Sequence, residues 1–253
     1  MKVLATYNLK GGVGKTASAV NLAYFSARDG FRTLVWDLDP QGAASFYFRV
    51  QAKVKGGAKG LLAGQRELSE VVRATDYDNL DLLPADFSYR NLDLTLDGAK
   101  KPTKLLAKRL LPLSQAYDRV FLDCPPSISL VSESVFVAAD VLLVPTIPTV
   151  LSLRTLDRLA RYLEKTENRR LQVLPFFCLV DRRRALHREI LEAAASGPFP
   201  FLESQIPSSA IVEQMGRFRA PLPVYARSSP PALAYEALWR EIEARSRKGP
   251  AVE

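Results

Sequence analysis

The stretch Asn8-Leu9-Lys10-Gly11-Gly12-Val13-Gly14-Lys15-Thr16 restricts the folds open to this chain more than any other. Ahead of it, Val3-Leu4-Ala5-Thr6-Tyr7 reads as a buried strand. Behind it, Ala17 to Ala23 has the apolar spacing and small residues of a helix. Strand, glycine-rich turn and helix start together form a phosphate-binding loop. The glycines let backbone N–H groups approach phosphate oxygens with no Cβ in the way. Gly11, Gly12, Val13, Gly14, Lys15, Thr16 and Ala17 are therefore candidate nucleotide-binding residues. Lys15 is expected at the β- and γ-phosphates and the Thr16 hydroxyl on Mg²⁺. The loop departs from G-x-x-x-x-G-K-[ST]: Leu9 stands where the first glycine would, and an extra lysine, Lys10, sits at the entrance.

Two further segments place carboxylates where such a loop needs them. Thr33 to Trp36 reads as a short buried strand that delivers Asp37-Leu38-Asp39-Pro40-Gln41-Gly42 at its carboxyl end, where open parallel sheets bind ligands. Alone, the hexapeptide could be a polar turn closed by Pro and Gly; beside a phosphate loop it reads as chemistry. Val120-Phe121-Leu122 is a second buried strand, ending in Asp123 before Cys124-Pro125-Pro126-Ser127. An acid at a strand end beside the phosphate loop has the geometry to bind Mg²⁺, directly or through water.

The sequence Lys10-Gly-Gly-Val-Gly-Lys-Thr16 resembles the deviant Walker A loop of the ParA/MinD family of ATPases. Asp37 to Gly42 resembles that family's D-x-D-P-Q-G motif, and Asp123 to Ser127 its D-x-P-P-S motif. The resemblance covers about residues 1–245. It implies an α/β fold of the SIMIBI-type P-loop NTPases: a single-domain, mainly parallel sheet with helices on both faces. It implies Mg²⁺-dependent ATP hydrolysis, with Lys10 reaching a partner subunit's nucleotide and Lys15 neutralising the γ-phosphate. Asp39 would position the attacking water, with Asp37 and Asp123 supporting the metal. Ser127 to Ser134 would be a flexible switch sensing the γ-phosphate. Asp181 and Pro207 are the candidate adenine contacts. The resemblance further implies an ATP-dependent homodimer that binds DNA nonspecifically. A ParB-like or cargo-adaptor protein, commonly with a basic N-terminal peptide, would stimulate the ATPase. The cargo would be a plasmid, a chromosome origin or a protein organelle such as a carboxysome, and the setting cytoplasmic and nucleoid-associated.

The rest of the chain fills in this frame. At 253 residues, with 47% apolar and 25% charged residues, it suffices for one large α/β domain spanning 1–253, with about 246–253 as a flexible tail. No apolar run approaches the about 20 residues of a membrane span. The chain reads as entering its first strand directly, with neither a signal peptide nor an added DNA-binding domain expected before it. Cys124 and Cys178 read as buried free thiols, and neither supplies the paired cysteines of the nitrogenase iron-protein branch. His187, in a charged stretch, reads as a surface residue. Lys53, Lys55 and Lys59 among Gly56, Gly57 and Gly60 read as a mobile basic loop. Helices are expected over Glu67–Arg73, Thr103–Leu111, Leu153–Glu164, from after Arg184 to about Ala195, and over 232–247, the last with Leu233, Ala237, Leu238 and Ile242 inward. Strands are expected at Leu80–Ala85, Val141–Pro145, Val173–Val180 and Phe201–Ile206.

A net charge of +8 suits a polyanionic partner. Between Arg154 and Glu189 stand ten Lys/Arg against five acids, and from Arg217 to Lys248 seven against three. Such stretches fit phosphate-backbone contact without base reading, or simply solvated faces. The family's usual Arg-Asn after the last strand's proline is replaced by Ser208-Ser209, which puts any DNA contact from there in question. An alternative is a MinD-like membrane-associated positioning ATPase. The tail Arg245 to Glu253 argues against it, having no bulky apolar face and a Gly249-Pro250 stop. A small-molecule ligase or synthetase of similar fold is a further alternative.

Overall fold

The computed structural model describes residues 1–166, 168, 170–194 and 197–246. In chain order, β1 (Lys2–Thr6) leads through the glycine-rich loop into α1 (Lys15–Arg28) and β2 (Thr33–Asp37). Short helices α2 (Ala43–Tyr47), α3 (Gly57–Leu62) and α4 (Leu68–Val71) precede β3 (Arg73–Ala74) and β4 (Leu80–Leu83). Helices α5 (Leu92–Asp97) and α6 (Pro102–Leu110) lead to β5 (Arg119–Asp123), followed by α7 (Leu130–Ala138), β6 (Val141–Thr146) and α8 (Val150–Leu163). Then come β7 (Gln172–Phe177), α9 (Ala185–Ala193), α10 (Ala210–Glu213), α11 (Met215–Phe218), α12 (Leu222–Ala226) and α13 (Pro230–Ser246).

The strands form one sheet in the order β3-β4-β2-β5-β1-β6-β7, parallel except for the β3–β4 pair. Both faces are covered, so the strands are apolar on both sides, and alternation sorts their side chains. Ala5, Tyr7, Leu34, Trp36, Val120 and Leu122 point to one core, with α7 and α8. Leu4, Val35, Phe121 and Leu143 point to the other, with α1 and α13. Parallel register then brings the carboxyl ends of β2, β5 and β1 side by side: Asp37 pairs with Asp123, and Asp123 with Thr6.

Several sequence expectations are corrected. Lys53 to Lys59 is not simply a loop: Gly56, at φ 88°, starts α3, whose Ala58, Leu61 and Leu62 are buried. Phe201–Ile206 is not a strand. β7 ends at Phe177, and the 202–208 segment runs irregularly along it, through one bridge between Val180 and Pro207. His187 is buried at 3% exposure, because α9 turns His187 and Ile190 inward together. In α13 Leu233 and Ala237 face out, while Ala232, Tyr235, Leu238, Trp239 and Ile242 pack inward. Both cysteines are buried free thiols, as expected. Glu167 and Arg169, the end of the helix expected to reach Ala195, Arg247, Lys248 and the rest of the tail lie outside the described residues.

Candidate active site

The loop after β1 is held from both sides. Buried Asn8 donates from Nδ2 to the Pro145 carbonyl at 2.8 Å and accepts the Lys10 N–H on Oδ1 at 2.9 Å. Gly12 and Gly14 adopt φ of 72° and 96°, which L side chains rarely do. Gly14 is the N-cap of α1 and offers no side chain, so the first N–H groups of this 14-residue helix stay open to an anion. A Cβ at Gly11 or Gly12 would meet nothing within 4 Å, whereas one at Gly14 would lie 3.5 Å from the Cys178 sulfur. Val13 is buried and Ala17 half-buried in the same turn.

Lys15 is 7% exposed, and its Nζ donates to the Lys10 carbonyl at 3.1 Å. Burial lowers its ammonium pKa, opposed chiefly by the Asp123 charge. A buried cation resting on one carbonyl is poised for a stronger anion. Lys10 differs: it is exposed, and no hydrogen bond or ion pair holds its ammonium among the described residues. It lines a groove of about 690 Å³ shared with the exposed face of α8.

Asp37 and Asp123 are both completely buried. Asp37 Oδ2 accepts from the Ser45 N–H at 2.8 Å and the Ser45 hydroxyl at 2.7 Å, while its Oδ1 has no partner. Asp123 Oδ1 accepts weakly from the Thr6 hydroxyl at 3.4 Å, and its Oδ2 has no partner. Burial pushes the Asp37 carboxyl up to about 6, against the Ser45 hydrogen bonds. Burial, then the Asp37 charge, pushes Asp123 well above the carboxylate range, with a Thr16 hydrogen bond pulling back. Two adjacent orphaned carboxylate oxygens are costly unless a cation meets them. With the Thr16 hydroxyl they form the small hard-oxygen set that Mg²⁺ uses when phosphates and waters complete its shell. Half-buried Asp39 caps its own turn, accepting the Gln41 N–H at 2.9 Å.

Beyond Asp123 the expected switch of Ser127–Ser134 is mostly helix. α7 begins at Leu130, with Ser129 and Ser132 capping each other's backbone N–H groups. Only the segment up to Ser129 is loop, and the buried Tyr7 hydroxyl donates to its Ser127 carbonyl at 2.9 Å. Asp181 and Pro207 do come together, in a cleft of about 430 Å³ with Arg182, Gln205 and Ser208. Arg183 grips the Asp181 carboxylate at 2.9 and 3.1 Å and holds it down to about 2, while the Asp181 N–H donates to His187 Nδ1 at 3.1 Å. The Asp181 turn is therefore braced from both ends.

Sequence reasoning missed Ser45, Asn8, Tyr7 and His187. Tyr7 and Asn8 were visible as polar groups ending a buried strand directly before the loop. Ser45 lies eight residues past Asp37 with no spacing signal. The basic residues Arg154, Arg158, Arg161, Lys165, Arg182, Arg183, Arg184, Arg188, Arg217, Arg227 and Arg240 are all exposed. No described helix is long and apolar enough to cross a membrane.

Comparison with known proteins agrees with this geometry. A family model described as an AAA domain matches residues 1–174. The chain is 30% identical to the chromosome-partitioning ATPase Soj of Treponema pallidum, over 96% of this chain and 98% of that one. It is 29% identical to the chromosome partitioning protein ParA of Caulobacter vibrioides, over 98% and 96%. Among solved structures, cobyrinic acid a,c-diamide synthase from Mycobacterium smegmatis with bound ATP analog and magnesium superposes with a TM-score of 0.85. There the identity is 27%, with 98% of this chain and 96% of that chain covered.

Proposed function

The chain belongs to the ParA/MinD family of ATPases, and on that premise we propose that it forms an ATP-dependent sandwich dimer that binds DNA nonspecifically and positions a cargo. Residues 1–246 act as one ATPase domain. The observation that carries the reading is the contrast between the two loop lysines. Lys15 is buried over its own cradle, while Lys10 is exposed with a free ammonium at the cradle's mouth. Phosphoryl transfer needs positioning and charge neutralisation more than covalent chemistry. Gly11 to Ala17 hold the phosphates, and Lys15 exchanges the Lys10 carbonyl for them. Thr16, Asp37 Oδ1 and Asp123 Oδ2 would hold Mg²⁺, directly or through water, and the metal would supply neutralisation of phosphate charge. Asp39 orients the attacking water. Lys10 adds charge at the second subunit's nucleotide, where charge develops. Asp181 and Pro207 flank the base.

Pairing two copies doubles the exposed basic surface, so duplex affinity should rise with ATP and fall steeply with salt. A protein partner would stimulate turnover, and the cargo would be a plasmid, a chromosome origin or a protein body. Light scattering of Asp39→Ala with ATP should show a stable dimer, and Lys10→Ala should bind ATP yet stay monomeric. A monomer for Asp39→Ala at saturating ATP sinks the proposal. The likeness to the diamide synthase keeps a ligase reading alive. Phosphate release from ATP by the purified protein, with no small-molecule co-substrate, separates the two.

A further inference from the structure

The groove beside the nucleotide mouth carries a chemistry that neither the motifs nor the relatives assign. It is lined by Leu9 and Leu151 together with Lys10, Arg154, Arg158 and Arg161. The three arginines stand at i, i+4 and i+7 on α8, so they form one row. That row is roughly 10 Å long at about 1.5 Å per residue. Many other arginines are engaged: Arg28, Arg32, Arg119, Arg183 and Arg240 are ion-paired, and Arg182 and Arg188 donate to Gln205 and a backbone carbonyl, while Arg184 and Arg227 stand singly. No ion pair or hydrogen bond holds the three groove arginines among the described residues, and Asp157 is the one acid lining it. Leu151 and Val150 are 66% and 53% exposed at the start of the row.

We propose that this groove, Lys10 with the Arg154–Arg158–Arg161 row over Leu9 and Leu151, docks an acidic protein segment with an apolar anchor. Unpaired cations along one helix face are complementary to a row of carboxylates at the same spacing. Exposed Leu151 and Val150 give such a segment a hydrophobic foothold. A nucleic-acid backbone offers the charge but no apolar anchor, so DNA is assigned to the other exposed basic residues, from Arg182 to Arg240. The choice of an acidic segment departs from the basic peptide that the family resemblance implies. The proposal rests on the proposed function for its consequence: a segment seated against Lys10 would sense whether that lysine is engaged across the dimer.

The test is direct binding to the nucleotide-free full chain, followed by fluorescence anisotropy. The probe is a labelled helical peptide with glutamates at i, i+4 and i+7 and a leucine one turn ahead. The comparators are the same peptide with lysines in place of the glutamates, and a duplex DNA. The acidic probe should bind, the lysine peptide should not, and Arg158→Glu should weaken the probe about tenfold or more. The same variant should change duplex affinity less than about twofold, and Arg158→Gln should fall between it and the parent. No binding of the acidic probe, equal binding of the lysine peptide, or a loss on duplex as large as on the probe would overturn the proposal. None of these readouts needs dimerisation or turnover. Probe binding without an ATP dimer therefore refutes only the proposed function, and a dimer without probe binding refutes only the groove.

Discussion

Replacing Asp37 with asparagine should stabilise the nucleotide-free protein near pH 8 while abolishing its response to Mg²⁺ and ATP. In the folded chain the Asp37 carboxyl has a pKa of about 6 against an ordinary 3.8. Between those values the unfolded chain binds fewer protons than the folded one. The contribution of Asp37 to stability is thus intact below pH 3.8 and lost as pH rises through 6. The rise from 3.8 to about 6 is worth about 3 kcal/mol, since a tenfold change in proton affinity is about 1.36 kcal/mol. Asparagine removes the charge and keeps one oxygen for the two Ser45 hydrogen bonds. Its amide nitrogen replaces an orphaned oxygen and can cost about 1 kcal/mol if it finds no acceptor. The net gain is about 2 kcal/mol, or roughly 4–8 °C in Tm for a chain of this size. Thermal melts at pH 5 and pH 8, with and without Mg²⁺ and a slowly hydrolysed ATP analogue, read all of this. The variant should melt higher than the parent at pH 8 without nucleotide, and the ranking should reverse with Mg²⁺ and nucleotide. A lower melting temperature for the variant at pH 8 without nucleotide would refute the claim that uncompensated charge is stored beside Asp123.

Gly14→Ala should lose at least about 1 kcal/mol of stability, since φ is 96° there, and should weaken ATP binding by calorimetry. An unchanged affinity would show that the α1 entrance does not seat the phosphates. Arg119→Met should cost about 1 kcal/mol or more by denaturation, because it removes the Arg119–Glu243 ion pair, made at 3.1 Å between side chains 14% and 9% exposed. ATP affinity should not move; a large fall would tie that ion pair to the site. Tyr7→Phe removes the hydroxyl that holds the Ser127 carbonyl and about 1 kcal/mol with it. Amide exchange should quicken over 127–129 and turnover should fall at constant ATP affinity; unchanged exchange would mean that the loop is held elsewhere.

The phosphate loop and both strand-end acids were legible because their chemistry demands a fixed order: strand, glycine turn, helix, then acids at neighbouring strand ends. Parallel register converts that order into proximity, so Asp37 and Asp123 could be placed before any coordinates. His187 was misread because Arg182 to Arg184 and Arg188 surround it in sequence, yet a helix separates by face, and His187 shares the inner one with Ile190. Leu233 was misread for the converse reason: an apolar residue in an amphipathic pattern was assigned inward, while Trp239 and Tyr235 fill that space. The 201–208 segment was apolar enough for a strand, but it hydrogen-bonds to β7 at only a few points. What escaped entirely was support at long range, such as Ser45 beneath Asp37.

The borders of the sheet bear on how copies can meet. On one side β3 contributes only two residues, Arg73 and Ala74, both exposed, and it runs against the direction of the other strands. On the other side the backbone of Leu202 to Ser208 bonds to Pro175, Phe177 and Val180, so the outer rim of β7 is already occupied. Neither margin offers a long row of vacant N–H and C=O groups for a neighbour's strand to extend. Strand-by-strand stacking into fibres is thereby discouraged at both margins.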